Sequence, residues 1–364
     1  QVLYRKTSGG GLLSAQWSSE AGIYLVSASG GESKRISPKG INAHFSENGQ
    51  RIYYTHWNAK GEKKLISVDL LGEDKITLAK GENVSEFLIS PNGDWLAFTE
   101  QFNAYIVPFT KTGKTLTLGR KISSLPLRQV SSRSGDFLQW SADSSALHWS
   151  NGATLYTREL KDAFEFVANA PDELPEPVDS GLNLGFSTPA DKPKGLVALT
   201  HARIVTMRDA DQQQEVIENG TVLVKDNRII AVGKFEEVSI PSKALVKDLT
   251  GMTIVPGIVD VHAHGSMASN EMNPQQNWQQ YSNLAFGITT IHDPSNDSSE
   301  IFSHAEMQRK GRVLGPRTFS TGKILYGAKG AGYQTYVDNY DDALFNVQRL
   351  KDLGAISVKS YNQL

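Results

Sequence analysis

Cysteine is absent from the 364 residues. That excludes disulfides, a cysteine nucleophile and thiolate metal sites, so any metal here is held by His, carboxylate or a modified Lys. The absence does not fix the compartment. No apolar run approaches the ~20 residues that span a bilayer. Neither sign of charge dominates: 37 Lys and Arg stand against 39 Asp and Glu. With no basic run to track phosphates, nucleic acid is not an expected partner. The chain opens on Gln1, not Met, and no signal peptide follows, so it reads as a piece of something longer.

What is present suits a large folded protein. Hydrophobic residues make up 39% and charged residues 21%, ordinary globular usage that can bury a core. At roughly 150 residues per domain, two or three domains are expected.

The first half repeats. Phe45-Ser46-Glu47-Asn48-Gly49, Ile89-Ser90-Pro91-Asn92-Gly93 and Trp140-Ser141-Ala142-Asp143-Ser144 each precede an alternating strand, with the Asn/Asp at positions 48, 92 and 143. Propeller blades recur at about 40–50 residues. Asn-Gly predicts positive φ in a tight hairpin turn. The pattern resembles the TolB-like, WD-type propeller repeat, over residues 1–170. Only the second copy keeps the Pro, and the third lacks the Gly. Gly22–Ser27 and Ser33–Ser37 read as the end of an earlier blade. Three blades and a remnant cannot close a ring, so the expectation is a partial all-β propeller, with a plain β-sandwich as the other reading. His44, His56 and His148 are scattered and read as structural.

An acidic, Pro-rich stretch from Ala170 to Pro177, with Pro189 and Pro193 beyond it, predicts an extended linker over 171–194. Short strands follow over 195–252, with Asp226-Asn227 as a hairpin signal. From residue 253 to 364 the pattern alternates. Strands are expected at Ile258–His262, Gly287–Asp293, Arg317–Thr321 and Ala355–Ser360, and helices at Gln275–Phe286, Ser299–Lys310 and Asp341–Leu353. This α/β alternation implies a parallel sheet. A full (β/α)₈ barrel takes about 200–250 residues, so only the first four units fit.

His262 and His264 stand two apart at the end of the first of these strands, where i and i+2 share a face. Barrel active sites lie at that end, and neutral imidazoles suit Zn, Fe, Ni or Mn. Asp260, one step deeper, is placed to orient a ligand. Taken alone, His-x-His is also what two polar residues at a strand end look like. Its context is a small sheet ending in Val255-Pro256-Gly257, then Gly287-Ile288-Thr289-Thr290, Asp293-Pro294-Ser295-Asn296-Asp297 and Gly315-Pro316-Arg317. With that context the region resembles the amidohydrolase superfamily, nearest its imidazolonepropionase-like and dipeptidase-like members, over about residues 195–364.

The resemblance implies a small β-sandwich followed by the first half of a TIM-type barrel. It also implies a divalent metal, zinc before others, as one or two ions held by His262 and His264. Lys359, at the end of the fourth strand, would bridge two metals as a carbamate; the other reading is a strand-end lysine reaching solvent. The implied reaction is hydrolysis of a carbon–nitrogen bond in a cyclic amide, amidine or dipeptide by a metal-bound hydroxide. The family's remaining ligands, two His and an Asp from later strands, have no counterpart in this sequence, so the fragment itself is expected to be inactive. The rival function is a propeller-based binding module, with a protein or polymer partner and a degenerate amidohydrolase domain; a third is a propeller that gates substrates by size. Fused proteins of this order are usually exported, which implies a periplasmic or secreted location. Oligomerisation stays open. His292 is expected either to contact substrate or to cap its loop, His304 to lie on the surface, and His201 to be structural.

Overall fold

The computed structural model describes all residues except 9–18, 59–61, 211–212, 269–270, 328–334, 336 and 362–364. The first half is a series of antiparallel sheets. Val2–Lys6, Gly22–Val26 and Lys34–Ser37 form the first. The second is the meander Ile41–Phe45, Arg51–Trp57, Lys63–Asp69 and Ile76–Gly81, with Leu116–Thr117 added in parallel at its edge. Val84–Ile89, Trp95–Glu100, Asn103–Pro108 and Arg128–Gln129 form the third, and Asp136–Trp140, Ala146–Asn151, Thr154–Glu159 and Leu182–Asn183 the fourth.

Each repeated motif closes a hairpin in the same way. Ser46 Oγ donates to Asn48 Oδ1, which accepts from Gln50 N, and Ser46 N bonds Arg51 O. Ser90 with Asn92, and Ser141 with Asp143, repeat the arrangement. One residue per turn has positive φ: Gly49 (69°), Gly93 (80°) and, where the glycine is missing, Ser144 (64°). The Asn therefore serves as a side-chain acceptor in a longer loop, not as half of a two-residue turn.

The strands are apolar on both faces because each inner sheet is covered twice. Ile52 and Tyr54 join Ile23, Leu25 and Ile36 of the first sheet. Tyr53, between them, points the other way, toward Phe87, Leu96 and Phe98 of the third. Ala97 and Ile106 pack with Trp140, Leu147 and Trp149 of the fourth. The period of two thus feeds alternate residues to two different cores.

The stretch expected as a linker is extended, as its prolines dictate, yet it is tied down. Val178 N bonds Val130 O at 2.8 Å, Leu184 N bonds Ala153 O at 2.8 Å, and Asp191 pairs with Lys310 at 2.7 Å. A sheet of Leu196–Ala210, Gln213–Lys225, Arg228–Lys234 and Leu245–Asp248 follows, with Thr253–Ile254 alongside. Asp226 and Asn227 make its two-residue turn, both with positive φ.

Three parallel strands come next: Ile258–Asp260, Ile288–Asp293 and Arg317–Ser320. The helices Trp278–Ala285, Ser298–Lys310 and Tyr340–Leu353 alternate with them. The described residues close no barrel, and Ile258, Val259 and Val261 on the first strand and its turn are exposed. The expected fourth strand is displaced. Only Ser360–Tyr361 is extended, and it pairs with Leu325–Tyr326, not with Arg317–Ser320. Leu325 N donates to Lys359 O, so the chain after the third strand takes that pairing edge. His304 corrects an expectation too: it is fully buried, because Ile301, His304 and Ala305 share the inward face of their helix at i, i+3 and i+4.

Gly257 sets the approach of the first two strands. A Cβ there would lie 2.0 Å from Thr289 Oγ1 and 2.7 Å from Thr289 Cβ. Gly257→Ala is therefore expected to destabilise the protein by about 1–3 kcal/mol, as overpacking does. Chemical denaturation of the variant checks this; an unchanged midpoint would show that the strands tolerate separation.

Candidate metal centre

The first strand ends at Asp260, two residues earlier than expected. Asp260 Oδ1 accepts from His262 N at 3.0 Å and draws the chain into a turn. Asp260 thus shapes the main chain before the histidines; its described contact is to the backbone of His262, not to an imidazole.

The loop is then pinned from three directions. Ala263 N donates to His292 O, Gln279 Nε2 to His264 O, and Asn296 Nδ2 to Gly265 O. Held in this way, the two imidazoles converge. His262 Nε2 and His264 Nε2 are 3.1 Å apart, with the ring planes at 76°. Both side chains are open to solvent.

Behind His264 lies Asp293, wholly buried, its Oδ1 3.3 Å from His264 Nδ1. Asp293 Oδ1 also accepts from Ser295 N, and its Oδ2 from Asn296 Nδ2. Ser320 Oγ donates to its backbone oxygen. A carboxylate facing Nδ1 favours the tautomer with the proton there, leaving Nε2 as a bare donor atom for a cation. The sequence alone assigns Asp293 no task. The readable signal was a polar residue closing an alternating strand.

The donor set fits part of a zinc site. Two nitrogens each 2.0–2.1 Å from a tetrahedral zinc lie about 3.3 Å apart, close to the observed spacing. Among the described residues no third His, Asp or Glu joins the pair in metal-holding geometry. Lys359 stands elsewhere: its Nζ lies 5.2 Å from the Tyr361 ring centroid, and among the described residues no polar contact links it to either histidine. His292 is also outside the pair, with Nδ1 3.3 Å from Val261 O and Nε2 2.9 Å from Ser357 Oγ. His44, by contrast, bridges two sheets, with Nδ1 on Asn42 O and Nε2 accepting from Ile89 N.

No family model matches the chain. It is 40% identical over 63 residues to an imidazolonepropionase of Geobacillus sp., covering 16% of this chain and 15% of that protein. It is 27% identical over 156 residues to a dihydroorotase of Geobacter sulfurreducens, covering 42% and 33%. A 5-methylthioadenosine/S-adenosylhomocysteine deaminase of Bacillus thuringiensis is 40% identical over 68 residues, 19% and 15%. These matches thus span only 15% to 33% of the length of those relatives. Among solved structures, a Xaa-Pro dipeptidase with bound methionine in the active site has a TM-score of 0.38 at 18% identity, covering 46% of this chain and 47% of that one. Guanine deaminase of E. coli has a TM-score of 0.31 at 19% identity, covering 46% and 45%. The relatives are amidohydrolase enzymes that act on carbon–nitrogen bonds.

Proposed function

We propose that this chain carries the first metal ligands of an amidohydrolase that cleaves carbon–nitrogen bonds in a small molecule or short peptide. The observation that carries this reading is the pair of Nε2 atoms at 3.1 Å, backed by a buried carboxylate. His262 and His264 would hold one divalent cation. Zinc, when bound, supplies Lewis acidity that polarises a carbonyl and lowers the pKa of water. The protein's own part is to fix both rings, through Asp260 at the main chain and Asp293 at Nδ1, and to keep them open to solvent. Lys359 enters as the bridging residue by resemblance alone, and would have to turn from Tyr361 to serve. Carbon-13 bicarbonate should then give a carbamate signal that is lost in Lys359→Met.

The sheets of the first half are read as propeller blades because their cores lie between consecutive sheets. A location outside the cytoplasm rests on resemblance, and cell fractionation decides it.

The test is zinc titration of the purified chain. One equivalent is expected to bind, and His264→Asn is expected to abolish that binding. Asp293→Asn is expected to weaken affinity by about 10–100-fold, as loss of an orienting partner does. Zinc binding unaffected by His264→Asn would end the proposal.

A further inference from the structure

A second polar site lies between the two halves of the molecule. The cavity there measures about 540 Å³ and is lined by Gln101, Phe102 and Asp136 on one side and Asp297, Lys323 and Arg349 on the other. None of His262, His264 and Asp293 lines it.

Arg349, on the helix Tyr340–Leu353, is 1% exposed, and its Cζ sits 3.6 Å from the Phe102 ring centroid. Stacking covers one face of the guanidinium. Among the described residues Nε, Nη1 and Nη2 have no hydrogen-bond partner. The charges of Asp136 and Asp297 act on it, but neither makes an ion pair with it. Asp297 is engaged by Lys323 at 2.8 Å. Gln101 is 7% exposed, and its Nε2 is likewise without a partner. The unpartnered buried side-chain atoms of the lining are thus all donors, so what they fit is an acceptor.

The turn that presents these groups is held in an uncommon shape. Gln101 and Phe102 both have positive φ, 47° and 64°. Successive left-handed residues in a hairpin are ordinarily Asn or Gly. Strain of this kind clusters at ligand sites.

We infer that this cavity binds a small monocarboxylate, with the guanidinium edge of Arg349 and the amide of Gln101 as its donors. A planar two-oxygen group matches the guanidinium fork. Asp297, which Lys323 at 2.8 Å keeps charged, disfavours a dianion such as phosphate. Burial raises Asp136 and pushes Glu86 up to about 7, which thins the negative charge around the cavity. Lys63 and Lys323 both line the cavity, and burial together with the charge of Lys323 holds Lys63 below its usual value. An anion relieves that repulsion.

The test uses the full chain, treated with chelator so that no metal at the histidine pair can hold a carboxylate. N-acetylglycine, its neutral amide and inorganic phosphate are titrated calorimetrically. N-acetylglycine is expected to bind with a stoichiometry of one, the amide not at all, and phosphate about tenfold more weakly than the carboxylate, because a nearby carboxylate repels the second negative charge by roughly that much. Arg349→Lys, which keeps the charge, is expected to lose about tenfold in affinity. Gln101→Gly relaxes the turn, so its unliganded unfolding midpoint is expected to rise while its affinity for N-acetylglycine falls. No binding of N-acetylglycine at millimolar concentration, equal binding of acid and amide, or affinity unchanged in Gln101→Gly would each overturn the inference.

Discussion

The double substitution His262→Asn, His264→Asn is expected to strip the metal from the full-length protein. It should also lower kcat/KM on a panel of cyclic amides and dipeptides by on the order of a thousandfold, because metal Lewis acidity contributes several kcal/mol and each ~1.4 kcal/mol is tenfold. The size follows from the geometry. Two imidazoles whose Nε2 atoms already lie 3.1 Å apart need little rearrangement to take up one cation. Asparagine keeps a polar group at each position but cannot place a second neutral nitrogen ligand there. The loop should survive the change: its anchors are Ala263 N on His292 O, Gln279 on His264 O and Asn296 on Gly265 O, all independent of the two rings. Metal content and rate should therefore fall together while the unfolding midpoint of the metal-free protein stays put. A variant that keeps its zinc at parental stoichiometry would sink the assignment of these residues. One that loses zinc but keeps its rate would sink the link from metal to chemistry.

What could be read from the sequence was whatever local periodicity dictates. The helix Ser298–Lys310 was legible within one residue, because Asp297 caps its start and Gly311, with φ at 90°, ends it. The places of the repeated Ser-x-Asn and Ser-x-Asp turns were legible because side chain and backbone settle the matter within six residues, although the Asn or Asp acts as an acceptor and not as half of a two-residue turn. The spacing of His262 and His264 kept them near one another, but the strand it assumed ends at Asp260, and it is the contacts of the following loop that bring the rings together. Three features were not legible, each because a distant partner decides it. The Ala355–Ser360 stretch has strand composition, but a strand needs a neighbour, and Leu325–Tyr326 claims only its last residue and Tyr361. Asp293 reads as one more acid until the fold sets it beside His264. The cavity around Arg349 needs both halves in place before its donors are seen to lack partners.

His304 was misread for the same reason, and it yields the second large effect. A polar residue on an amphipathic helix is ordinarily solvated, but this one is fully buried and among the described residues neither ring nitrogen has a partner. Burial alone depresses its pKa from 6.5 to about 4. The sign follows from linkage. Above the unfolded value near 6.5 both states hold a neutral ring, and stability is intact. As pH falls from there toward about 4, the unfolded chain takes up a proton that the folded chain refuses. Stability is lost through that window and levels off below it. At ~1.4 kcal/mol per pH unit the loss reaches about 2 kcal/mol by pH 5 and about 3 kcal/mol by pH 4. Carboxylates titrate in the same range, so the measurement that isolates the histidine is a difference. His304→Leu, similar in volume and free of unpaired polar atoms, should be more stable than the parent in urea at pH 7. Its advantage should widen by about 2 kcal/mol on going to pH 5. Parallel stability curves for the two proteins across that range would mean that His304 finds a proton acceptor in the folded state after all.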